Sequence, residues 1–139
     1  MSKVLFLDVD GVLNNYRTGG IFTVTKSKLR LLQQIVERTG CEIVLSSTWR
    51  LNVMGELDLL KKKLWYRKLT IADVTPKFNG IRGEQIQSWL AHHPEVTAWC
   101  IIDDDGDMLD SQSLNFVQTD GMIGMTAEDA EKVIKILGE

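Results

Sequence analysis

Cysteine is scarce: Cys41 and Cys100 are the two thiols in 139 residues. Both sit inside apolar runs, so they read as reduced core thiols of a reducing compartment, not as a disulfide framework. No apolar run approaches the length of a membrane span. Met1-Ser2-Lys3 leads straight into a short strand, without the charged-then-apolar layout or cleavage site of a signal peptide. The expectation is a cytoplasmic protein with no membrane partner. A net charge of −3 argues against a whole-chain polyanion binder, though not against a local basic patch. Internal repeats, low-complexity segments and linkers are also missing. What remains is a chain of ordinary globular balance, 44% apolar and 25% charged, long enough to bury a core as one domain over 1–139.

Strand-like apolar runs alternate with helical patterns. Val4–Leu7 reads as the first strand. From Thr25 to Thr39, Leu29, Leu32, Ile35 and Val36 follow helical spacing, with Thr25 placed to cap the start and Gly40 to end the helix. Glu42–Leu45 is a buried strand, and Leu57, Leu60 and Leu64 mark a second helix. Ile71–Val74 is a short strand, and Glu84–His92 a helix stopped before Pro94. Ala98–Ile102 and Asn115–Gln118 are strands. Thr126 opens a final helix, with Asp129 completing an approximate capping box. Such alternation implies a mainly parallel sheet with right-handed crossovers, an α/β fold.

The polar ends of these strands matter most. The first ends in Asp8-Val9-Asp10-Gly11, the second in Ser46-Ser47, and the strand near 100 in Asp103-Asp104. Ligands of parallel open sheets bind outside the carboxyl ends of the strands, so three polar clusters converge on one edge. On a continuing strand, Asp8 and Asp10 would share a face. Two like charges held close need a cation between them or a retained proton.

Four carboxylates near one point suggest Mg²⁺, which takes oxygen ligands and leaves positions for phosphate or water. Calcium fits less well. Asp103-Asp104-Asp105-Gly106-Asp107 has glycine fourth instead of sixth, and position twelve is Leu114 instead of Glu. A carboxylate can also be the nucleophile in phosphoryl transfer. Its attack brings negative charge onto negative charge, at about 4 kcal/mol per unit pair near about 4 Å for an effective dielectric of about 20. A metal and a cationic side chain offset this, and Arg82, Lys77 and Arg50 are the candidate cations. Ser47 is placed to donate to a phosphoryl oxygen.

Over nearly its whole length the chain resembles the haloacid dehalogenase-like (HAD) phosphatases. The carrying segments are Leu5–Gly11, Ile43–Ser47, Arg82 before Glu84–Leu90, and Ile101-Ile102-Asp103-Asp104, in the family's order. Ser47-Thr48-Trp49-Arg50, Arg82-Gly83-Glu84-Gln85-Ile86 and Trp89-Leu90 look more narrowly like the phosphatase domains of RNA repair proteins and polynucleotide kinase–phosphatases. The resemblance implies a Rossmann-like three-layer sandwich without a sizeable cap domain. It implies an aspartyl-phosphate mechanism: Asp8 as nucleophile, Asp10 as acid and then base. Asp8, Asp10 through its backbone carbonyl, and Asp104 would hold Mg²⁺, with Asp103 supporting or sharing that role. Ser47 or Ser46, with Arg82 or Lys77, would grip the phosphoryl oxygens. The preferred pair is Ser47, because Ser46 reads as strand, and Arg82.

The substrate is then a phosphomonoester, with a nucleic-acid 3′ or 5′ end first and a nucleotide or phosphoprotein next; no nucleotide cofactor is implied. The rival class is a non-catalytic metal- and phosphate-binding module, which would have no use for both Asp8 and Asp10. Plainer readings stand beside the sharp ones. Arg50 is either a substrate contact or a solvated loop residue. Trp49 reads as packing, His92 and His93 as exposed helix-end residues, and Asp105, Asp107 and Asp110 as a solvated loop. The run Lys61–Lys68, with Trp65 and Tyr66 inside it, is either the charged face of an amphipathic helix or a basic wall for a nucleic-acid end.

Overall fold

A computed structural model describes residues 2–17 and 23–139. Within them the strands β1 (Lys3–Leu7), β2 (Glu42–Leu45), β3 (Ile71–Val74), β4 (Ala98–Asp103) and β5 (Phe116–Gln118) form one sheet. Its order is β3-β2-β1-β4-β5, and every pairing is parallel. The helices α1 (Lys26–Thr39), α2 (Glu56–Trp65), α3 (Arg82–Ala91) and α4 (Ala127–Leu137) cover the two faces. Short 3₁₀ turns follow β2 at Thr48–Leu51 and β4 at Asp110–Asn115. This is the α/β fold that the alternation implied, in the Rossmann-like arrangement that the resemblance implied, all parallel where the sequence implied mainly parallel.

The central strand shows why. Lys3–Leu7 reads KVLFL, with Val4 through Leu7 fully buried, because a central parallel strand is covered on both sides. Strand parity sorts these side chains. Val4 and Phe6 pack with Ile86 and Trp89 of α3, while Leu5 and Leu7 pack with Leu32 of α1 and Val133 of α4. Phe6 meets Trp89 edge to face, with ring centroids 5.4 Å apart. Truncating so enclosed a ring costs about 3–5 kcal/mol. Strand order reverses between β1 and β4, which makes their C-terminal ends the switch point where such sheets open a crevice.

Local chemistry sets the helix ends. Gly40 adopts φ 71° and sends its N–H to Val36 O, the αL ending that glycine permits. Thr126 and Asp129 form a reciprocal capping box at α4. Thr25 takes the N-cap position of α1, but its hydroxyl donates to Leu13 O at 3.4 Å and does not cap. Helix α3 begins at Arg82, two residues earlier than helical spacing suggested, because Asp107 accepts the N–H groups of its first turn: Arg82 N at Oδ2 (3.3 Å) and Gly83 N at the backbone carbonyl (3.1 Å). β4 continues one residue further than read, through Asp103.

Among the described residues no cap domain stands over the strand ends, and no helix is long and apolar enough to cross a membrane. Cys41 and Cys100 are buried and unpaired with one another, and burial pushes the Cys100 thiol up to about 12.

Candidate active site

Register and parity build the site. Leu7 pairs with Leu45 on one side and Ile102 on the other, so the next residues, Ser46, Asp8 and Asp103, stand in one row. All three follow residues of the α1/α4 face, so their side chains take the α3 face by alternation. Asp8 N donates to Ile102 O (3.1 Å) and Ser46 N to Leu7 O (3.0 Å), extending the ladder by one step.

The first residue of α3 meets this row. Arg82 Nη1 lies 2.7 Å from Asp103 Oδ2 and 3.2 Å from Asp8 Oδ1. Burial works against the guanidinium charge, but Asp103 and Asp8 outweigh it and hold its pKa up. One cation does not satisfy the carboxylates. Burial first, then the Asp103 charge, pushes Asp8 up to about 9, against the pull of Arg82. Asp103 is also raised by burial, with Arg82 and a 3.0 Å bond from Asp105 N opposing.

Asp104 completes the cluster. Asp8, Asp103 and Asp104 each offer an oxygen within 4.8 Å of the others, a set able to hold a hard divalent cation. The fit is built into the backbone around it. A Cβ at Gly11 would lie 2.5 Å from Asp104 Oδ2, and one at Gly121 2.8 Å from the same atom, so both glycines make room for the carboxylate. Gly11 also holds φ 80°, which favours glycine. Tyr16 OH donates to Asp104 Oδ2 at 2.6 Å; partial burial and that bond raise the phenol pKa.

Asp10 is placed by a different device from the one anticipated. β1 ends at Leu7, and the chain turns over Val9–Leu13, with Val12 N and Leu13 N both bonding Val9 O. The carboxylate is oriented by side chains, not by a pleat. Asn14 Nδ2 donates to Oδ1 at 3.0 Å and Trp49 Nε1 to Oδ2 at 3.0 Å. Asn14 also accepts from Gly11 N (2.8 Å) and donates to Thr23 O (2.9 Å), so it ties the turn together. A cavity of about 220 Å³ opens beside Asp10, lined by Thr48, Trp49, Leu51, Val53 and Glu56.

The two serines differ. Ser47 Oγ accepts from Trp49 N at 3.1 Å and caps the 3₁₀ turn. Ser46 Oγ is buried and has no hydrogen-bond partner among the described residues, in the row beside Asp8. Ser46 does continue the ladder beyond Leu45, as the sequence implied, and that step places its hydroxyl in the row of Asp8 and Asp103. Arg50 is not an open cation. It is buried, and its guanidinium donates to Ser46 O, Ser47 O, Thr75 O and Gln85 Oε1 at 2.7–3.0 Å. It braces the loop after β2 against α3. Lys77 is exposed and has no ion pair among the described residues, whereas Arg82 touches two carboxylates.

Asp107 caps α3, so it is more than a solvated loop residue; Asp105 and Asp110 are exposed. His92 and His93 bond the carbonyls of Ser88 and Trp89 at the helix end, and His93 stacks on Trp89 at 3.6 Å. Asn14, Tyr16 and the indole N–H of Trp49 are the site groups that sequence reasoning missed. An indole two residues after the second motif and an Asx four residues after Asp10 are weak signals; only the fold brings them to the carboxylates.

The whole constellation lies inside a match to a known family. The model of the HAD domain in Swiss Army Knife RNA repair proteins matches residues 4–130, and the chain belongs to that family. No curated protein and no solved structure matches the chain. Membership carries the general reading of a HAD-type phosphatase, with which the Asp8, Asp103 and Asp104 cluster is compatible.

Proposed function

We propose that this HAD domain is a Mg²⁺-dependent phosphomonoesterase that works through an aspartyl-phosphate on Asp8 and acts on a 3′ or 5′ terminal phosphate of a nucleic acid. The observation that carries this reading is the convergence of Asp8, Asp103 and Asp104 oxygens within 4.8 Å at the switch point, with Arg82 reaching two of them.

Asp8, Asp104 and the Asp10 carbonyl, with Asp103 beside them, would hold Mg²⁺, which would supply positive charge against the phosphoryl oxygens and the carboxylates. The residues do the rest. Asp8 attacks phosphorus as the bond to the leaving oxygen breaks, and Asp10 gives that oxygen a proton. Asp10 then takes a proton from the water that cleaves the aspartyl-phosphate, returning Asp8 and releasing inorganic phosphate. Trp49 and Asn14 hold Asp10 in register for both transfers. Arg82 and the unpartnered hydroxyl of Ser46 grip the phosphoryl oxygens. Burial and Asp103 resist the charge of Asp8 and Arg82 favours it, and a bound cation would favour the ionised nucleophile further.

Three features support a nucleic-acid end as substrate. The described residues leave the site uncapped, which admits a large leaving group. A cavity opens beside Asp10, the residue proposed to protonate that group, and the neighbouring Val53 and Met54 are exposed apolar surface fit to meet a base. The family is described as one of RNA repair proteins. Two free buried thiols suit a reducing cytoplasm.

The test is turnover of p-nitrophenyl phosphate with Mg²⁺ by the wild type and by Asp8→Asn, followed by 3′- and 5′-phosphorylated oligonucleotides beside mononucleotides and a phosphopeptide. Wild-type activity lost in Asp8→Asn and a preference for an oligonucleotide end are expected. No activity on any phosphoester would sink the enzyme reading, and preference for a mononucleotide or phosphopeptide would overturn the substrate.

A further inference from the structure

A groove of about 530 Å³ lies between α1 and the end of α2, lined by Lys26 and Leu29 on one side and Lys63, Tyr66, Arg67 and Lys68 on the other. Its lining carries four cations against one acid, Glu37, a local net of +3 in a chain whose total is −3. Among the described residues Lys26, Lys63 and Lys68 have no ion-pair partner. Arg67 donates to Gln33 Oε1 (3.3 Å) and Lys26 O (3.5 Å), tying the chain just after α2 to α1 across the groove.

A plain charged helix face would keep its aromatics inside. Here Tyr66 and its neighbour Trp65 are 77% and 71% exposed. Flat rings beside unpaired cations are the pairing that binds single-stranded nucleic acid, phosphates on the cations and bases on the rings. An acidic protein surface would use the cations and leave the rings without a role. One end of the groove is one residue from the support of Asp10 along the chain. Val24 lines it, and the adjacent Thr23 carbonyl is bonded by Asn14, the residue that holds Asp10. From Lys26 to Glu37 it follows α1 for about 16 Å.

We infer that this α1/α2 groove is a binding track for single-stranded nucleic acid, carrying the strand whose end enters the site; the inference rests on the nucleic-acid substrate proposed above. The track binds backbone and bases away from the terminal phosphate, so an unphosphorylated strand should bind too.

The experiment is fluorescence anisotropy of a short unphosphorylated oligoribonucleotide across a salt series, with wild type, the triple variant Lys26→Ala/Lys63→Ala/Lys68→Ala, and Tyr66→Leu. The triple variant should lose about tenfold or more in affinity, and its log–log salt slope should shrink by about 2, at about 0.7 per phosphate contact. Tyr66→Leu should lose about tenfold with an unchanged slope. Turnover of p-nitrophenyl phosphate should stay at the wild-type rate in both variants. Unchanged affinity and slope in the triple variant would overturn the track, and leave the phosphatase reading intact if phosphorylated ends are still hydrolysed. Polyglutamate competing as well as RNA, with Tyr66→Leu silent, would also overturn it in favour of an acidic protein partner. Oligonucleotide ends left unhydrolysed while the strand still binds through the groove would instead count against the proposed substrate.

Discussion

Trp49 donates its indole N–H to Oδ2 of Asp10 across 3.0 Å, joining the loop after β2 to the turn after β1. The bond fixes the carboxylate that must deliver and recover a proton. Trp49→Phe keeps the buried ring and deletes the donor. A net hydrogen bond of about 1 kcal/mol predicts a fall in kcat of about five- to tenfold with KM little changed. Steady-state kinetics separate the two parameters; an unaltered kcat would reduce Trp49 to packing.

Ser46 and Ser47 should separate cleanly. Ser47→Ala removes the cap on Trp49 N and should cost about 1 kcal/mol of stability with modest loss of activity. Ser46→Ala deletes a hydroxyl with no partner, so stability should hold or rise slightly while kcat/KM falls about tenfold or more. Thermal melts alongside phosphatase assays check both; the opposite pattern would return the phosphoryl grip to Ser47.

Arg82 is the cation beside two buried carboxylates. Arg82→Ala should destabilise the metal-free protein by about 3 kcal/mol, because Asp8 and Asp103 lose their partner. Added Mg²⁺ should recover a large part of that loss by entering the same cluster. Chemical denaturation with and without Mg²⁺ gives the comparison. Equal destabilisation in both conditions would argue that the cation does not bind there.

Metal-free stability should fall as pH rises through neutrality. Asp8 has a folded-state value near 9 against 3.8 for the ordinary carboxylate. Between those values the native state holds a proton that the unfolded chain has released. The Asp8 contribution is complete below about pH 4 and is lost as pH rises through about 9, at up to about 1.4 kcal/mol per pH unit. Melting temperatures in chelator from pH 6 to 9 should therefore decline, and Asp8→Asn should flatten the decline. A wild-type slope equal to that of Asp8→Asn would contradict it.

Gly83 lies where α3 crosses the loop after β4. A Cβ there would stand 2.7 Å from Leu109 N and 2.9 Å from Met108 Cα, both backbone atoms, and 2.6 Å from Gln112 Oε1. Gly83→Ala should push α3 outward, costing about 1–3 kcal/mol and displacing Arg82 from Asp8. A lower melting temperature with reduced kcat/KM is expected. Wild-type values for both would show that the loop yields freely.

Strands and helices were legible because the central strands β1, β2 and β4 are largely buried apolar runs and the helices carry apolar stripes, while the short edge strands β3 and β5 are bounded by polar turns. Asp8, Asp103, Asp104 and Arg82 were legible because motif order and strand ends bring them to one edge. Asp10 was recognised, but its support was not. Trp49 lies 39 residues away and Tyr16 is 88 residues from Asp104, separations that only the folded sheet closes. Arg50 misled for a related reason. An arginine in a site loop carries the same letter whether it meets substrate or, as here, spends its donors on backbone carbonyls. The basic run of α2 was visible, yet its pairing with Lys26 across a groove depends on how α1 and α2 pack.

The central claim is that Asp8 becomes phosphorylated. Acid quenching of Asp10→Asn during reaction with a phosphomonoester and Mg²⁺, followed by peptide mass spectrometry, tests it most directly, because loss of the base should leave the intermediate standing. A phosphoryl group on the peptide containing Asp8, absent when Asp8→Asn is added, is the predicted result. Wild-type turnover that persists in Asp8→Asn, with no phosphoryl group on that peptide, would contradict it.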